Sequence, residues 1–316
     1  MKNNNFDYSR HYGNWHSDTP ESKRRDIETA KSLFDAHAIY PAQKEARILE
    51  IGCGMGRFML MLRDAGYANL TGIDIDKSQI EIAQKENLNV VLADAAEFLA
   101  NNTEKYDAIY AFDLLEHIEK ERQLPFLKAI FAAASDDGFA VFAVPNALAP
   151  LAAFYRYIDF THTVSYTPIT MRFLLNNAGF HHIVVRAQHQ ETEEVQKLKL
   201  PWMRLYRTEF GLNDVILTPN IIAVAFKNDA QLANYLAITP IISNDYAESP
   251  VIKNDCAERR SSLQTLALCL KSPIKIKMRG IKRLQIKFFP YLKNCYFNMI
   301  LRFSDECFYR ISIGGE

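Results

Sequence analysis

Short apolar runs alternate with amphipathic stretches from Arg47 to Phe226. The runs Arg47–Ile51, Leu70–Ile75, Val90–Ala93, Tyr106–Phe112 and Phe139–Val144 are rich in β-branched and aromatic residues, which predicts buried strands. Gly56–Ala65, Ser78–Glu86, Ala95–Asn101 and Glu121–Ala134 lie between them with helical spacing, and Gly66 closes the first. Thr170–Ala178 reads as a further helix stopped by Gly179, and His181–Arg186 and Ile221–Phe226 as the last two strands. An earlier helix, Ser22–Ile39, carries Ile27, Leu33, Phe34 and Ala38 on one face and ends before Pro41.

Strand and helix in regular alternation imply a parallel sheet covered by helices on both faces, with right-handed crossovers. The last two strands break the rule. Residues 187–219 between them read as a charged, proline-marked insertion with no helix, so an antiparallel ending is expected. The fold class is therefore α/β: a doubly wound, mostly parallel seven-stranded sheet with an antiparallel last strand.

Four segments follow. Residues 1–40 form an N-terminal helix with a possible aromatic lid or leader at Tyr8, Tyr12 and Trp15, and 41–227 form the sheet domain. Residues 228–262 are polar, contain Pro240 and Pro250, and read as a linker. Residues 263–316 read as a basic amphipathic helical extension. Eight cations and no acid lie between Lys271 and Lys293, and Leu284, Phe288, Tyr291 and Leu292 approximate one helical face. This tail fits a solvated appendage or, through 271–303, a peripheral contact with an anionic membrane; nucleic acid is the weaker reading.

Hydrophobic content of 48% and charged content of 23% are ordinary for a globular protein, and the formal net charge is zero, so the whole molecule is no electrostatic trap for polyanions. Five scattered cysteines without CxxC pairs imply a reducing compartment and predict no metal site. The polar N-terminus lacks an apolar signal core, and no run of about 18 apolar residues occurs. A cytoplasmic location is expected, at most peripheral on the inner face of the membrane.

The chemistry begins at Glu50-Ile51-Gly52-Cys53-Gly54-Met55-Gly56. Glycine at every second position lets the chain turn sharply and lets a ligand touch bare backbone at a helix start. A pyrophosphate-binding loop would prefer GxGxxG. Here the spacing is GxGxG, and the acid before it would repel pyrophosphate while suiting a ligand with an amino group and a sulfonium. Asp74 ends the second strand, 18 residues beyond Gly56, where a carboxylate can accept two ribose hydroxyls. Asp94, with Ala95 after it, ends the third strand and can face an adenine amino group. Asp113 ends the fourth. Each aspartate alone also fits a helix cap.

Together LEIGCGMGRF, GIDID, LADAAEF and YDAIYAFDLLEHI resemble the class I S-adenosylmethionine-dependent methyltransferases, over about residues 40–227. The resemblance implies a Rossmann-like fold and S-adenosyl-L-methionine as cofactor. It places Glu50, Gly52, Cys53, Gly54 and Gly56 around the methionine moiety, Asp74 and Ile75 at ribose and adenine, Asp94 and Ala95 at adenine, and Asp113 beside the substrate pocket.

Transfer to a hydroxyl needs a general base. In Asp159-Phe160-Thr161-His162, between the fifth strand and the next helix, His162 can take a proton and Asp159 can orient it, or both can merely brace the loop. His117, after Glu116, is a second candidate base, or a histidine at a helix start. The segment DFTHTVSYTP followed by MRFLLNNAGF resembles methyltransferases of bacterial surface-polysaccharide gene clusters, which implies a sugar hydroxyl as acceptor. The alternatives are a small-molecule or quinone-type acceptor at His117, and a scaffold subunit that binds cofactor without turnover.

Overall fold

The computed structural model describes residues 17–212 and 215–239, together with the backbone of strands at 246–247, 285–289, 298–302 and 308–312. The chain divides into two compact units, Met1–Ser249 and Pro250–Glu316. The aromatic lid expected at Tyr8, Tyr12 and Trp15 lies outside the described residues.

Helix α1 (Pro20–His37) starts at Thr19, whose hydroxyl accepts the Ser22 N–H, and stops at Ala38 in left-handed conformation. Then follow β1 (Ile48–Ile51), α2 (Arg57–Asp64), β2 (Leu70–Asp74), α3 (Lys77–Lys85), β3 (Val90–Leu92), α4 (Ala95–Asn101), β4 (Tyr106–Phe112) and, after a short turn, α5 (Lys120–Ala133) and β5 (Ala134–Pro145). A short α6 (Ala152–Tyr157) precedes α7 (Pro168–Ala178), which a reciprocal Thr167–Thr170 cap begins and Gly179 ends. Then come β6 (His182–Ala187), α8 (Glu193–Phe210), β7 (Asn220–Phe226), α9 (Asp229–Ile238) and the two-residue β8 (Tyr246–Ala247).

The sheet order is β3-β2-β1-β4-β5-β7-β6-β8. Strands β1 to β5 are mutually parallel, and β7 runs antiparallel between β5 and β6. Strand β1 is central and all four of its residues are buried. One apolar core, including Leu127, Ile130, Phe142 and Leu175, lies on one face of the sheet; a second, including Phe34, Met59, Leu60 and Tyr110, lies on the other. The chain leaves β1 towards β2 and β3 on one side, while β4 and β5 lie on the other. The loops after β1 and β4 therefore flank the point where strand order reverses, where open α/β sheets bind ligands.

Three expectations are corrected. The supposed helix-free insertion at 187–219 contains the 18-residue α8, capped by Thr192 at its start and Gly211 at its end, with Pro201 inside it. Part of the expected linker is α9, capped by the Asn228 side chain. In the C-terminal unit, strands β9 (Gln285–Phe289), β10 (Asn298–Arg302) and β11 (Phe308–Ser312) pair antiparallel in the order β11-β10-β9, where a helix was expected through 284–292. Ile286 and Phe288 alternate with Gln285 and Lys287, a period of two that competes with the looser helical spacing. No helix among the described residues is long and apolar enough to cross a membrane.

Candidate active site

The glycine loop is built from left-handed backbone. Gly52, Gly54 and Gly56 have φ of 77°, 50° and 71°, values that other residues adopt only at a cost. Gly56 is constrained twice, because a Cβ there would stand 2.3 Å from Leu88 Cδ1. Asp74 fastens the loop from the next strand: Oδ2 accepts the Gly54 N–H at 2.8 Å and Oδ1 accepts the Asp76 N–H at 2.8 Å. The second lone pair of each oxygen stays available for a ligand hydroxyl.

Beneath the loop, Glu50 is 3% exposed, and its Oε2 has no hydrogen-bond partner. Burial first and the Asp74 charge second push its carboxyl well above the ordinary range. Cys53 is a buried free thiol, likewise pushed up by burial, so it is an inert loop residue and no nucleophile. Ile75, just past β2, and Leu92, the last residue of β3, expose 46% and 49% of their surface at the strand ends. Asp94 acts as N-cap of α4, accepting the Ala96 and Glu97 N–H groups at 2.9 and 3.2 Å, the capping role weighed from sequence.

Across the reversal point, Asp113 leaves β4 with φ of 46°, a rare value for a residue with a side chain and of the kind that collects at functional sites. Its side chain meets solvent at the cleft, and Oδ1 accepts the Asn220 Nδ2–H at 2.9 Å. Crowding by protein on its other sides raises the carboxyl to about 6, against the lowering effect of Asn220.

The segment after α6 folds back onto the turn after β4. The Thr163 N–H donates to the Glu116 carbonyl at 2.6 Å and the Tyr166 hydroxyl to the Leu115 carbonyl at 3.1 Å. This clamp brings both candidate histidines together, their ring centroids 4.7 Å apart. Asp159 Oδ1 accepts the Thr161 backbone N–H at 2.7 Å and the Thr161 hydroxyl at 2.6 Å, and Thr161 Oγ1 lies 2.7 Å from His117 Nδ1. A hydroxyl has one proton, here given to the carboxylate, so His117 Nδ1 is the donor to Thr161. His162 Nδ1 stands 3.0 Å from the Tyr155 carbonyl, an acceptor only, and so also carries its proton on Nδ1. Each ring, when neutral, then has its lone pair on Nε2.

Sequence reading missed three parts of this site. Thr161 joins Asp159 to His117, a link between loops that no spacing reveals. Asn220 reaches Asp113 from a position 107 residues away. An apolar groove of about 190 Å³ beside Tyr155, lined among others by Leu151, Leu198, Trp202 and Leu217, depends on the unforeseen α8. Arg156 and Arg172 donate to the backbone carbonyls of Thr163 and Ile183.

The chain matches the methyltransferase domain family over residues 11–184, more than half its length, and it belongs to that family, of the class I, S-adenosylmethionine-dependent type. It is 28% identical over 120 residues to the O-methyltransferase rstn1 of Aspergillus nomiae, a match covering 35% of this chain and 52% of the relative. It is 29% identical over 85 residues to a ubiquinone biosynthesis O-methyltransferase of Saccharophagus degradans, covering 25% of this chain and 36% of that one. The chain thus spans about half or less of these relatives' own lengths. In fold it is similar to a SAM-dependent methyltransferase of Archaeoglobus fulgidus, with a TM-score of 0.54 and 21% identity over 70% of this chain and 99% of that one.

Proposed function

We propose that the protein binds S-adenosyl-L-methionine at the Gly52–Gly56 loop and methylates a hydroxyl of a small-molecule acceptor. The observation that carries this reading is the convergence of two unlike halves at one strand reversal. One half is a left-handed glycine loop tied to Asp74; the other is a histidine pair clamped over the next strand end.

The donor half fits the cofactor by its own chemistry. Asp74 has lone pairs for ribose hydroxyls, Ile75 and Leu92 offer apolar faces for adenine, and Ala95 follows at the start of α4. Glu50 and Asp113 place carboxyl groups around the methionine end, and a bound ammonium and sulfonium would favour their ionised forms. Bound there, the cofactor supplies an electrophilic methyl group. The protein's own work is to align the acceptor oxygen with that methyl and to exclude water.

On the acceptor side, His117 is the candidate base. Thr161 and Asp159 hold its Nδ1–H, which keeps Nε2 basic and stabilises the imidazolium once the proton arrives. His162, fixed by Tyr155, stands against it and shares the approach. The apolar groove beside Tyr155 favours an acceptor with an apolar body, as does the relative whose name concerns ubiquinone biosynthesis. A sugar hydroxyl is the second reading, resting on the Asp159–His162 segment; a lipid-linked sugar would satisfy both. The test is incubation with methyl-labelled cofactor and fractionated cell extract. Label in small, extractable hydroxyl compounds supports the reading. Label only in glycan polymer moves the acceptor to the second reading, and no label in any fraction opposes both.

A further inference from the structure

The sequence offers no metal-ligand spacing, yet the fold assembles a ligand set. One donor atom from each of Glu116, His117 and His162 lies within 4.8 Å of the others. Glu116 is 1% exposed, and neither of its carboxylate oxygens has a hydrogen-bond partner. A buried carboxylate in that condition is costly unless a cation compensates it. The charges of Asp113 and Asp159 deepen the negative field on it.

The histidines complete the case. Each has its Nδ1–H committed to an outer partner, Thr161 in one and the Tyr155 carbonyl in the other. Outer acceptors of this kind fix the tautomer and ring angle of metal-ligating histidines, with Nε2 as the ligand atom. Two neutral imidazoles and one carboxylate favour a borderline divalent ion over a hard, oxygen-loving one.

We propose that Glu116, His117 and His162 bind one divalent transition-metal ion of the zinc class. Three protein ligands leave a coordination position open, the pattern of a catalytic rather than a structural site. Resting on the methyltransferase reading, the acceptor hydroxyl would take that position. Its O–H bond breaks with the proton passing to water, and its oxygen then forms the bond to the methyl carbon as the carbon–sulfur bond breaks. Metal coordination and direct proton uptake use the same Nε2 lone pairs, so the ion would replace His117 as the activating group.

Calorimetric titration of the full-length, chelator-stripped protein with zinc chloride tests the site. One ion per chain is expected, with affinity at least about tenfold weaker in Glu116→Gln and in His162→Ala. Affinity of both variants for S-adenosylmethionine, measured separately, should stay near that of the native protein, which also reports that they fold. No zinc binding by the native protein, or undiminished binding in both variants, overturns the site. Loss of cofactor binding by the native protein would instead overturn the methyltransferase reading and leave the zinc result standing.

Discussion

Thr161 Oγ1 stands 2.7 Å from His117 Nδ1, joining the loop before α7 to the turn after β4. The same hydroxyl donates to Asp159 at 2.6 Å, so one threonine transmits the orientation of a carboxylate to an imidazole that the carboxylate does not flank in sequence. Sequence reasoning paired Asp159 with His162; the fold joins Asp159 to His117 through Thr161 and sets the Tyr155 carbonyl at His162 Nδ1.

Thr161→Val keeps the shape of the side chain and deletes the relay. It should lower kcat by roughly 10- to 100-fold, within the range that general-base assistance supplies, with little change in cofactor affinity. Thr161→Ser should restore most of the rate. Steady-state kinetics beside calorimetry checks this; a Val variant with native kcat would show that the link merely braces the loop.

Glu116→Gln should stabilise the metal-free protein, and more so at higher pH. Burial raises the folded-state carboxyl well above its unfolded value, so the folded state keeps a proton that the unfolded state releases. Stability contributed by that proton is present below the unfolded pKa and is lost as pH rises towards the folded one. The glutamine does not titrate, so its Tm advantage in chelator should grow from pH 5 to pH 8, by roughly 2–4 °C for each kcal/mol in a domain of this size. Thermal melts at several pH values give the comparison; an advantage that shrinks with pH contradicts the burial argument.

Gly56→Ala should destabilise the fold by about 2–4 kcal/mol, since it combines left-handed strain with a Cβ 2.3 Å from Leu88 Cδ1. Gly56→Ala with Leu88→Ala should recover the steric share and leave the conformational cost. Urea unfolding of the two variants separates the contributions.

Peripheral membrane contact through the basic C-terminal segment remains a proposal carried by the eight cations of 271–293. Deleting residues 263–316 should release the protein from anionic liposomes and leave cofactor affinity intact. Failure of the full-length protein to sediment with such liposomes would reject the idea.

Most of the sheet was legible because buried parallel strands announce themselves as short apolar runs, and the loop after β1 carries its glycines in a fixed pattern. Strands β1 to β7 fall close to where periodicity put them. Helix α8 was overlooked although Val195, Leu198, Trp202 and Leu205 recur at helical spacing, because Pro201 reads as a breaker. The GxGxG loop and the aspartates at strand ends could be read because they are local. The Asp159–Thr161–His117 relay, the Asn220 contact to Asp113 and the orphaned carboxylate of Glu116 depend on distant segments meeting, and no local pattern encodes that.

The central claim rests on the glycine loop and Asp74, and calorimetric titration with S-adenosylmethionine tests it most directly. The intact protein should bind one molecule per chain. Asp74→Ala, which loses the ribose acceptor and the tie to the Gly54 N–H, should weaken that binding by at least about 30-fold, the scale of one or two charge-assisted hydrogen bonds. No heat of binding from the intact protein, or equal affinity in Asp74→Ala, would contradict the account.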